Sequence, residues 1–324
     1  MNKPNKPATR VGQAVRPSPP ADQKTHRKKS RLFIGVGLVL ITGLLALGYS
    51  YFIEPRRLVI NDQELKIANI GPALDGMKIV AISDIHGGSN GIDEAKLRSI
   101  VETVNAQGSD LVVLLGDYVS QTGEPGPDGR RPLKMPVETV AANLAGIKAK
   151  QGVFAVLGNH DGWFDDANVA AALNGAGIRV LNGEVAVIER NGARLRILGL
   201  EDQLKIRTWE GYSADVRRLL APTAGTGDVL VLSHSPDVAP IITGSHSISD
   251  DLKLMLAGHT HGGQVWLPIL GRPIVPSSYG QKFAAGHARE DGLDVFVTTG
   301  IGTSILPFRF MVAPEIAVIT LKTK

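Results

Sequence analysis

Residues 32–53, LFIGVGLVLITGLLALGYSYFI, form a run of 22 positions without a charge. A helix rising about 1.5 Å per residue would cross a bilayer core about 30 Å thick over that length. Tyr49, Tyr51 and Phe52 fall at the C-terminal end of the run, where aromatic side chains favour the membrane–water boundary. The run is longer than the apolar core of a secretory signal. No A-x-A cleavage site follows it and no twin-arginine pair precedes it, so an uncleaved anchor is expected.

Beyond the anchor the pattern changes to short apolar runs, each ending in a polar cluster. Residues 78–83 lead into Asp84 and His86, and 111–115 into Gly116-Asp117. Residues 153–157 lead into Gly158-Asn159-His160-Asp161, and 195–200 into Glu201-Asp202. Residues 229–232 lead into Ser233-His234, and 252–257 into Gly258-His259-Thr260-His261. Runs of this kind suit strands buried on both faces. Residues 295–299 and 316–321 read as further strands. Helical spacing lies between several of them. It puts Leu97, Ile100, Val101 and Val104 on one face of 93–105, and Val137, Val140, Ala141, Leu144 and Ile147 on one face of 137–147. The helical stretch 169–173 follows Asp165 and Asp166, either of which can cap it. Strands alternating with helices predict an α/β fold with crossover units, in which ligands bind at the carboxyl ends of strands. Wet loops account for Asp and Asn at those ends, but not for the gathering of histidines there.

Charge divides the chain. Residues 1–57 hold 11 Lys/Arg against 2 Asp/Glu, a surplus of nine, so the rest carries a net −5 within a total of +4. The basic balance belongs to the tail, and the folded part lacks the basic footprint of a nucleic-acid-binding domain. Residues 1–31 read as a basic, disordered tail, 32–53 as the anchor and 58–324 as the folded domain. Lys24, Arg27, Lys28, Lys29 and Arg31 outweigh Arg56 and Arg57 on the other flank. This predicts a single-pass protein of the inner or plasma membrane, with the tail cytoplasmic and the domain extracytoplasmic. With no cysteine, thiolate chemistry, disulfides and iron–sulfur clusters are excluded, and any metal must rest on His, Asp, Glu or Asn.

In order, the polar clusters are D-I-H, G-D-Y-V-S, G-N-H-D, S-H-S-P and G-H-T-H. Each is weak alone, but all five in this order, each after a strand, are a strong signal. The set resembles the calcineurin-like metallophosphoesterase family over roughly residues 75–320. G-H-T-H-G-G-Q at 258–264 and G-I-G-T-S-I-L-P-F-R-F at 300–310 resemble its membrane-associated bacterial branch. That branch includes phosphodiesterases and proteins similar to UDP-2,3-diacylglucosamine pyrophosphatases. The resemblance implies a four-layer α/β/β/α sandwich. It also implies that Asp84, His86 and His261 hold one metal, that Asn159, His234 and His259 hold a second, and that Asp117 bridges both. His160 would be the catalytic histidine, not itself a ligand. Ser120 departs from the family pattern at a position that is often acidic.

The chemistry fits. A shared carboxylate offsets repulsion between two divalent ions about 3.5–4 Å apart, and a water between them becomes a nucleophilic hydroxide near neutral pH. Nitrogen and oxygen donors suit Mn, Fe, Zn or Co better than Mg or Ca. His160 could protonate the leaving oxygen or stabilise its charge. Asp161 either orients that ring or caps the turn that follows. Asp202 reads as a turn or cap residue, and His26, His246 and His287 as surface residues.

The expected activity is hydrolysis of a phosphodiester or pyrophosphate, with a lipid-linked substrate such as a nucleotide-diphosphate acyl sugar suggested by the anchor. Such precursors are handled on the cytoplasmic face, in tension with the charge bias. The alternative is a non-catalytic metal-binding scaffold, which the completeness of the seven ligand positions disfavours. Two loops stay open. Residues 121–132 are a mobile surface loop or a lid bringing Arg130 or Arg131 to a substrate phosphate. The apolar 265–275 are core, or a patch meeting membrane or an acyl chain.

Overall fold

The computed structural model describes residues 12, 23–127, 129–223, 225–244 and 247–324. They fall into two compact units, Met1–Ala46 and Leu47–Lys324. The first unit contains most of helix α1 (Gln23–Phe52). Arg31–Arg56 is long and apolar enough to cross a membrane, with a mean hydropathy of 2.3. The helix starts at Gln23, so Lys24–Arg31 continue it rather than belonging to the irregular tail expected for 1–31. Once an apolar helix is nucleated, each further residue adds a hydrogen bond at little cost, and Lys and Arg are good helix formers.

The second unit is built from β1 (Val59–Ile67), β2 (Lys78–Ile82), α2 (Glu94–Ala106), β3 (Leu111–Leu115), α3 (Val137–Leu144), β4 (Val153–Val156), α4 (Asn159–Phe164), α5 (Asp166–Gly175), β5 (Arg179–Val180), β6 (Glu184–Arg190), β7 (Ala193–Gly199), α6 (Trp209–Leu220), β8 (Asp228–Leu232), α7 (Ala239–Ile242), β9 (Leu252–Ala257), β10 (Gly286–Glu290), β11 (Leu293–Val297) and β12 (Glu315–Thr323). Two mixed six-stranded sheets result, ordered β1-β12-β2-β3-β4-β5 and β10-β11-β9-β8-β7-β6. In the first, β2, β3, β4 and β5 run parallel; in the second, β7, β8, β9 and β11 do.

Period-two alternation explains the layering. Ile79 and Ala81 of β2 and Val113 of β3 share a core with Ile197, Leu230, Leu254 and Leu256 of the second sheet. Val80 and Ile82 face the other way, onto Leu97, Ile100 and Val104 of α2 and Val140 and Leu144 of α3. Val229, Val231, Met255 and Val295 of the second sheet pack on Val216 and Leu220 of α6 and Ile242 of α7. The order is therefore helix, sheet, sheet, helix, the expected four layers. Asp165, not Asp166, caps α5, accepting the Asn168 N–H at 3.1 Å.

Several elements fell outside the sequence reading. In VINDQELKI of β1 exposed and covered positions alternate, although polar and apolar residues alternate only over 64–67, after four polar residues at 61–64. That signal marks a half-covered strand rather than the fully buried runs that stood out. β6 and β10 likewise alternate between more and less covered positions over most of their length. Leu230 lies 2% exposed between the sheets. Leu230→Ala is expected to lower the free energy of unfolding by about 2–5 kcal/mol in a denaturant titration. Val187→Ala, on the exposed face of β6, should stay within about 0.5 kcal/mol.

Candidate metal centre

The seven candidate ligands and His160 all follow carboxyl ends of parallel strands. Asp84 and His86 come after β2, Asp117 after β3, and Asn159 and His160 after β4 at the start of α4. His234 follows β8, and His259 and His261 follow β9. Backbone bonds tie neighbouring strand ends within each sheet at this edge. Asp84 N donates to Gly116 O at 2.9 Å, and Gly258 N to His234 O at 2.9 Å. His259 N donates to Asp84 Oδ2 at 3.0 Å, crossing from one sheet to the other.

Five of these residues hold positive φ: Asp84 (54°), His86 (47°), Asp117 (59°), His259 (70°) and His261 (51°). That region is costly for residues other than glycine and persists where the surroundings impose it. The surroundings leave little room. A Cβ on Gly258 would lie 1.9 Å from Ser83 Oγ and 2.7 Å from Asp84 Oδ2, and one on Gly116 would lie 2.7 Å from His234 Nδ1. Glycine at these two places lets the strand ends close on the cluster.

All seven side chains are brought together. His86 Nε2 lies 3.2 Å from His261 Nε2 and 3.5 Å from Asp117 Oδ2. His234 Nε2 lies 3.3 Å from Asp117 Oδ2, 3.1 Å from Asn159 Oδ1 and 3.1 Å from His259 Nδ1. His261 Nε2 lies 3.4 Å from Asp84 Oδ1. Asp117 thus touches both halves of the cluster through one oxygen, while its Oδ1 accepts the His160 N–H at 2.8 Å. Three groups could each hold a metal ion: Asp84, His86 and His261; His86, Asp117 and His160; and Asp84, Asp117 and His234.

The donor set fits divalent cations. His86 and His234 present Nδ1 to the carbonyls of Val119 (3.3 Å) and Leu115 (2.7 Å), which fixes the tautomer with Nε2 free to coordinate. Asp84 Oδ1 is buried and has no hydrogen-bond partner, an arrangement that is unfavourable unless a cation meets it.

The electrostatics point the same way. Burial drives the Asp84 carboxyl up to about 6. Burial resists ionisation of Asp117 too, but the His234 charge overcomes it and holds Asp117 well below the usual carboxylate range. Burial likewise opposes the His234 imidazolium, yet Asp117 prevails and raises it to about 10. Burial, with the His234 charge behind it, lowers His259 to about 3, and burial lowers His86 to about 3. Asp117 and His234 thus favour each other's charged forms, the carboxylate keeping a proton on the imidazole.

His160 stands at the edge of the cluster, stacked edge-on against His86 at 4.7 Å and tilted against Trp163 at 4.6 Å. Its Nδ1 lies 2.9 Å from Gln121 Oε1, and its Nε2 lies 3.2 Å from Ser304 Oγ. Gln121 Nε2 donates to the His160 carbonyl at 2.6 Å. This fixes the amide, so Nδ1 carries the hydrogen and Nε2 is the acceptor nitrogen facing Ser304. Asp161 does not touch the ring. Fully buried, it accepts the N–H groups of Asp117 (2.8 Å), Tyr118 (2.9 Å) and Gly158 (2.8 Å). These bonds tie the turn of Asp117 and Tyr118 to the start of α4, not to the turn that follows Asp161, and the side chain that meets the His160 ring is Gln121. Gln121 went unnoticed because it opens a Gly/Pro-rich loop; its place four residues after Asp117 was the available signal.

The open loops resolve in part. Arg130 pairs with Asp165 at 2.7 Å. Arg131 and Lys134 line a cavity of about 500 Å³ that also meets Gln121, His160 and Ser304. An adjoining cavity of about 370 Å³ has Asp117, Asn159, His160, His259 and His261 on its floor. Trp163, Ile274, Pro276, Ile305 and Leu306 form its walls. Ile269, Leu270 and Ile274 are exposed, so 265–275 is an apolar patch and not core. Asp202 accepts the Leu204 N–H at 2.9 Å, as a turn residue does. His287 is exposed and bonds Asp294 at 2.8 Å, while His246 lies outside the described residues.

Comparison with known proteins agrees with the geometry. Residues 77–263 match the calcineurin-like phosphoesterase family. The chain is 30% identical over 278 residues to the uncharacterized metallophosphoesterase YkuE of Bacillus subtilis, covering 85% of this chain and 90% of that protein. It is 25% identical over 296 residues to the phosphodiesterase YaeI of Escherichia coli, covering 90% and 98%. A transmembrane protein with a metallophosphoesterase domain from Danio rerio is 29% identical over 298 residues, covering 88% of this chain and 62% of that protein.

A metal that coordinates His234 must displace the proton that Asp117 holds there. Because that pKa is raised, the proton is present at neutral pH, and metal affinity rises with pH. Calorimetric titration of the metal-free protein at pH 7, in buffers of differing ionisation enthalpy, should show release of about one proton or more per protein. Uptake without proton release would contradict this account of the cluster.

Proposed function

This chain belongs to the calcineurin-like phosphoesterase family and is a metal-dependent phosphoesterase, and from that premise we propose that it hydrolyses a phosphodiester or pyrophosphate bond with two divalent ions. The observation that carries this reading is the single Asp117 oxygen between His86 and His234. In the proposed arrangement Asp84, His86 and His261 hold one ion, Asn159, His234 and His259 the other, and Asp117 both. Mn, Fe, Zn or Co suits these donors. When bound, the ions supply an activated water and neutralise charge on the phosphoryl oxygens.

The protein's own residues then position and protonate. Gln121 sets the His160 tautomer, with Nε2 on the side of Ser304. Burial holds this ring below its ordinary pKa, with Asp117 opposing. An anionic substrate adds negative charge that favours the imidazolium, which can then give its Nε2 proton to the leaving oxygen. Asp161 acts through the backbone, fixing the turn that carries Asp117 and the start of the helix that carries His160.

The apolar walls over the metal floor support a substrate with a lipid-like arm, and the cavity with Arg131 and Lys134 supports an anionic group on the other side. The helix Arg31–Arg56 supports anchoring in the membrane. We assign the tail to the cytoplasm and the domain to the opposite side. Arg56 weakens this assignment little. Its guanidinium donates to the carbonyls of Tyr51 (3.2 Å) and Phe52 (3.0 Å), so it caps the helix end besides being a flanking charge.

Hydrolysis of bis(p-nitrophenyl) phosphate by the full-length chain in detergent should require added Mn²⁺ and vanish in Asp117→Ala. His160→Ala should keep its metal and lose about 10²–10⁴ in kcat with alkyl leaving groups, and less with p-nitrophenolate, which leaves without a proton. A folded, metal-loaded protein inactive on diesters and pyrophosphates alike would favour the non-catalytic scaffold. For topology, protease added to cells with a permeable outer layer and an intact inner membrane should digest the domain; protection until that membrane is ruptured would reverse the assigned orientation.

A further inference from the structure

We propose that the rim of the metal cleft is a membrane-seating surface, whose tips at Ile269, Ile305 and Met311 enter the lipid leaflet at which the anchoring helix ends. The proposal rests on reading Arg31–Arg56 as a bilayer span, and it adds a lipid contact made by the catalytic unit itself.

The backbone supplies the first argument. Among the described residues, twelve other than glycine have positive φ. Five are candidate metal ligands, and Gln264 adjoins them. Asn69, Asn191 and Asp291 are of types that tolerate this conformation. The remaining three are Ile269 (75°), Ile305 (61°) and Met311 (55°). Their relative exposures are 104%, 97% and 50%. A polar Asn or a Gly at each tip would relieve the strain and remove apolar surface from water. The sequence instead keeps large apolar side chains in a costly conformation, pointing away from the protein.

The second argument is location. Trp266 N donates to Phe310 O at 2.9 Å and Phe310 N to Gln264 O at 2.8 Å, joining loops 265–276 and 304–311 into one platform. A tight turn closed between Leu267 and Gly271 presents Ile269 and Leu270. The platform is tied to the last turn of α1, which belongs to the same compact unit. Arg309 N donates to Ser50 O at 3.1 Å, and Asn90 Nδ2 donates to both Tyr51 O and Pro307 O at 2.7 Å. The C-terminal end of a span, with Tyr51 and Phe52 exposed, sits at the lipid–water boundary. A surface hydrogen-bonded to that end meets lipid before any other partner. Ile305 also walls the cleft, so an apolar substrate arm can pass from leaflet to site without crossing water.

The chain has no cysteine, so single-cysteine variants report one position each. Ile269→Cys, Ile305→Cys, Leu40→Cys within the span and Leu204→Cys on an exposed turn are to be nitroxide-labelled in the full-length protein and placed in phosphatidylcholine–phosphatidylglycerol nanodiscs. Collision with oxygen reports lipid, and collision with a nickel chelate reports water. Positions 269 and 305 should resemble position 40, with a nickel-to-oxygen ratio about tenfold below that of position 204. Tips as nickel-accessible as 204, with 40 in lipid, would overturn the proposal and leave the anchor intact. Tips closed to both probes would overturn it in favour of a protein partner or a second copy. Position 40 in water would defeat the anchor reading and the proposal with it.

Discussion

The structure turns on one electrostatic constraint: two carboxylates and four imidazoles share a narrow gap where two sheets end. Carboxylate oxygens of Asp84 and Asp117 come within 4.8 Å of one another around His234. Like charges at such spacing repel by about 4 kcal/mol per pair at an effective dielectric near 20. The side chains answer in two ways: burial raises Asp84, and Asp117 keeps a proton on His234. Both are local neutralisations, and neither gives Asp84 Oδ1 a partner. Divalent cations satisfy the carboxylates, the free Nε2 atoms and the orphan oxygen together, which is why this site reads as a metal centre and not as a buried salt bridge.

Everything around the cluster serves to hold it open for cations. Strand ends from both sheets converge on it, β2, β3 and β4 running parallel in one sheet and β8 and β9 in the other. Gly116 and Gly258 let neighbouring backbones approach, and the left-handed turns at Asp84, His86 and Asp117 aim side chains inward. Asp161 commits its acceptor oxygens to backbone N–H groups beneath Asp117. Burial, with the Asp117 charge beside it, raises its pKa to about 7, while its bonds to Gly158 and Tyr118 oppose the rise. Replacing it would loosen the turn before it touched any chemistry.

The sequence spoke most clearly where periodicity and chemistry coincide. Fully apolar five-residue runs such as 111–115 suit strands buried on both faces, and the polar residues after them then sit at a sheet edge. The seven candidate ligand positions were therefore legible, and the structure gathers all seven side chains. Half-covered strands were less so, because in β1 and β6 charged residues dilute the signal. The His160 partner was illegible for a different reason. Asp161 is adjacent in sequence and chemically apt, but the helix that begins at Asn159 turns consecutive side chains about 100° apart. Asp161 is carried under the strand end, and Gln121, thirty-nine residues away, reaches the ring. Adjacency along a helix is a poor guide to contact, since residues one apart do not face each other.

The same backbone device occurs at the two ends of the cleft and has one physical reading. At Asp84, His86, Asp117, His259 and His261 the left-handed conformation is imposed by packing so that polar groups face a space the polypeptide does not fill. At Ile269, Ile305 and Met311 it turns apolar groups toward a space the polypeptide does not cover. Strain of this kind persists only where something outside the local chain offsets it. The chemistry of each set names its counterpart: nitrogen and carboxylate donors call for a cation, and exposed aliphatic side chains beside the end of an apolar span call for hydrocarbon. His160 and Trp163 lie between the two, touching the metal cluster on one side and the apolar walls on the other. The substrate proposed above, a phosphate carried on an apolar arm, would meet both ends of the cleft at once.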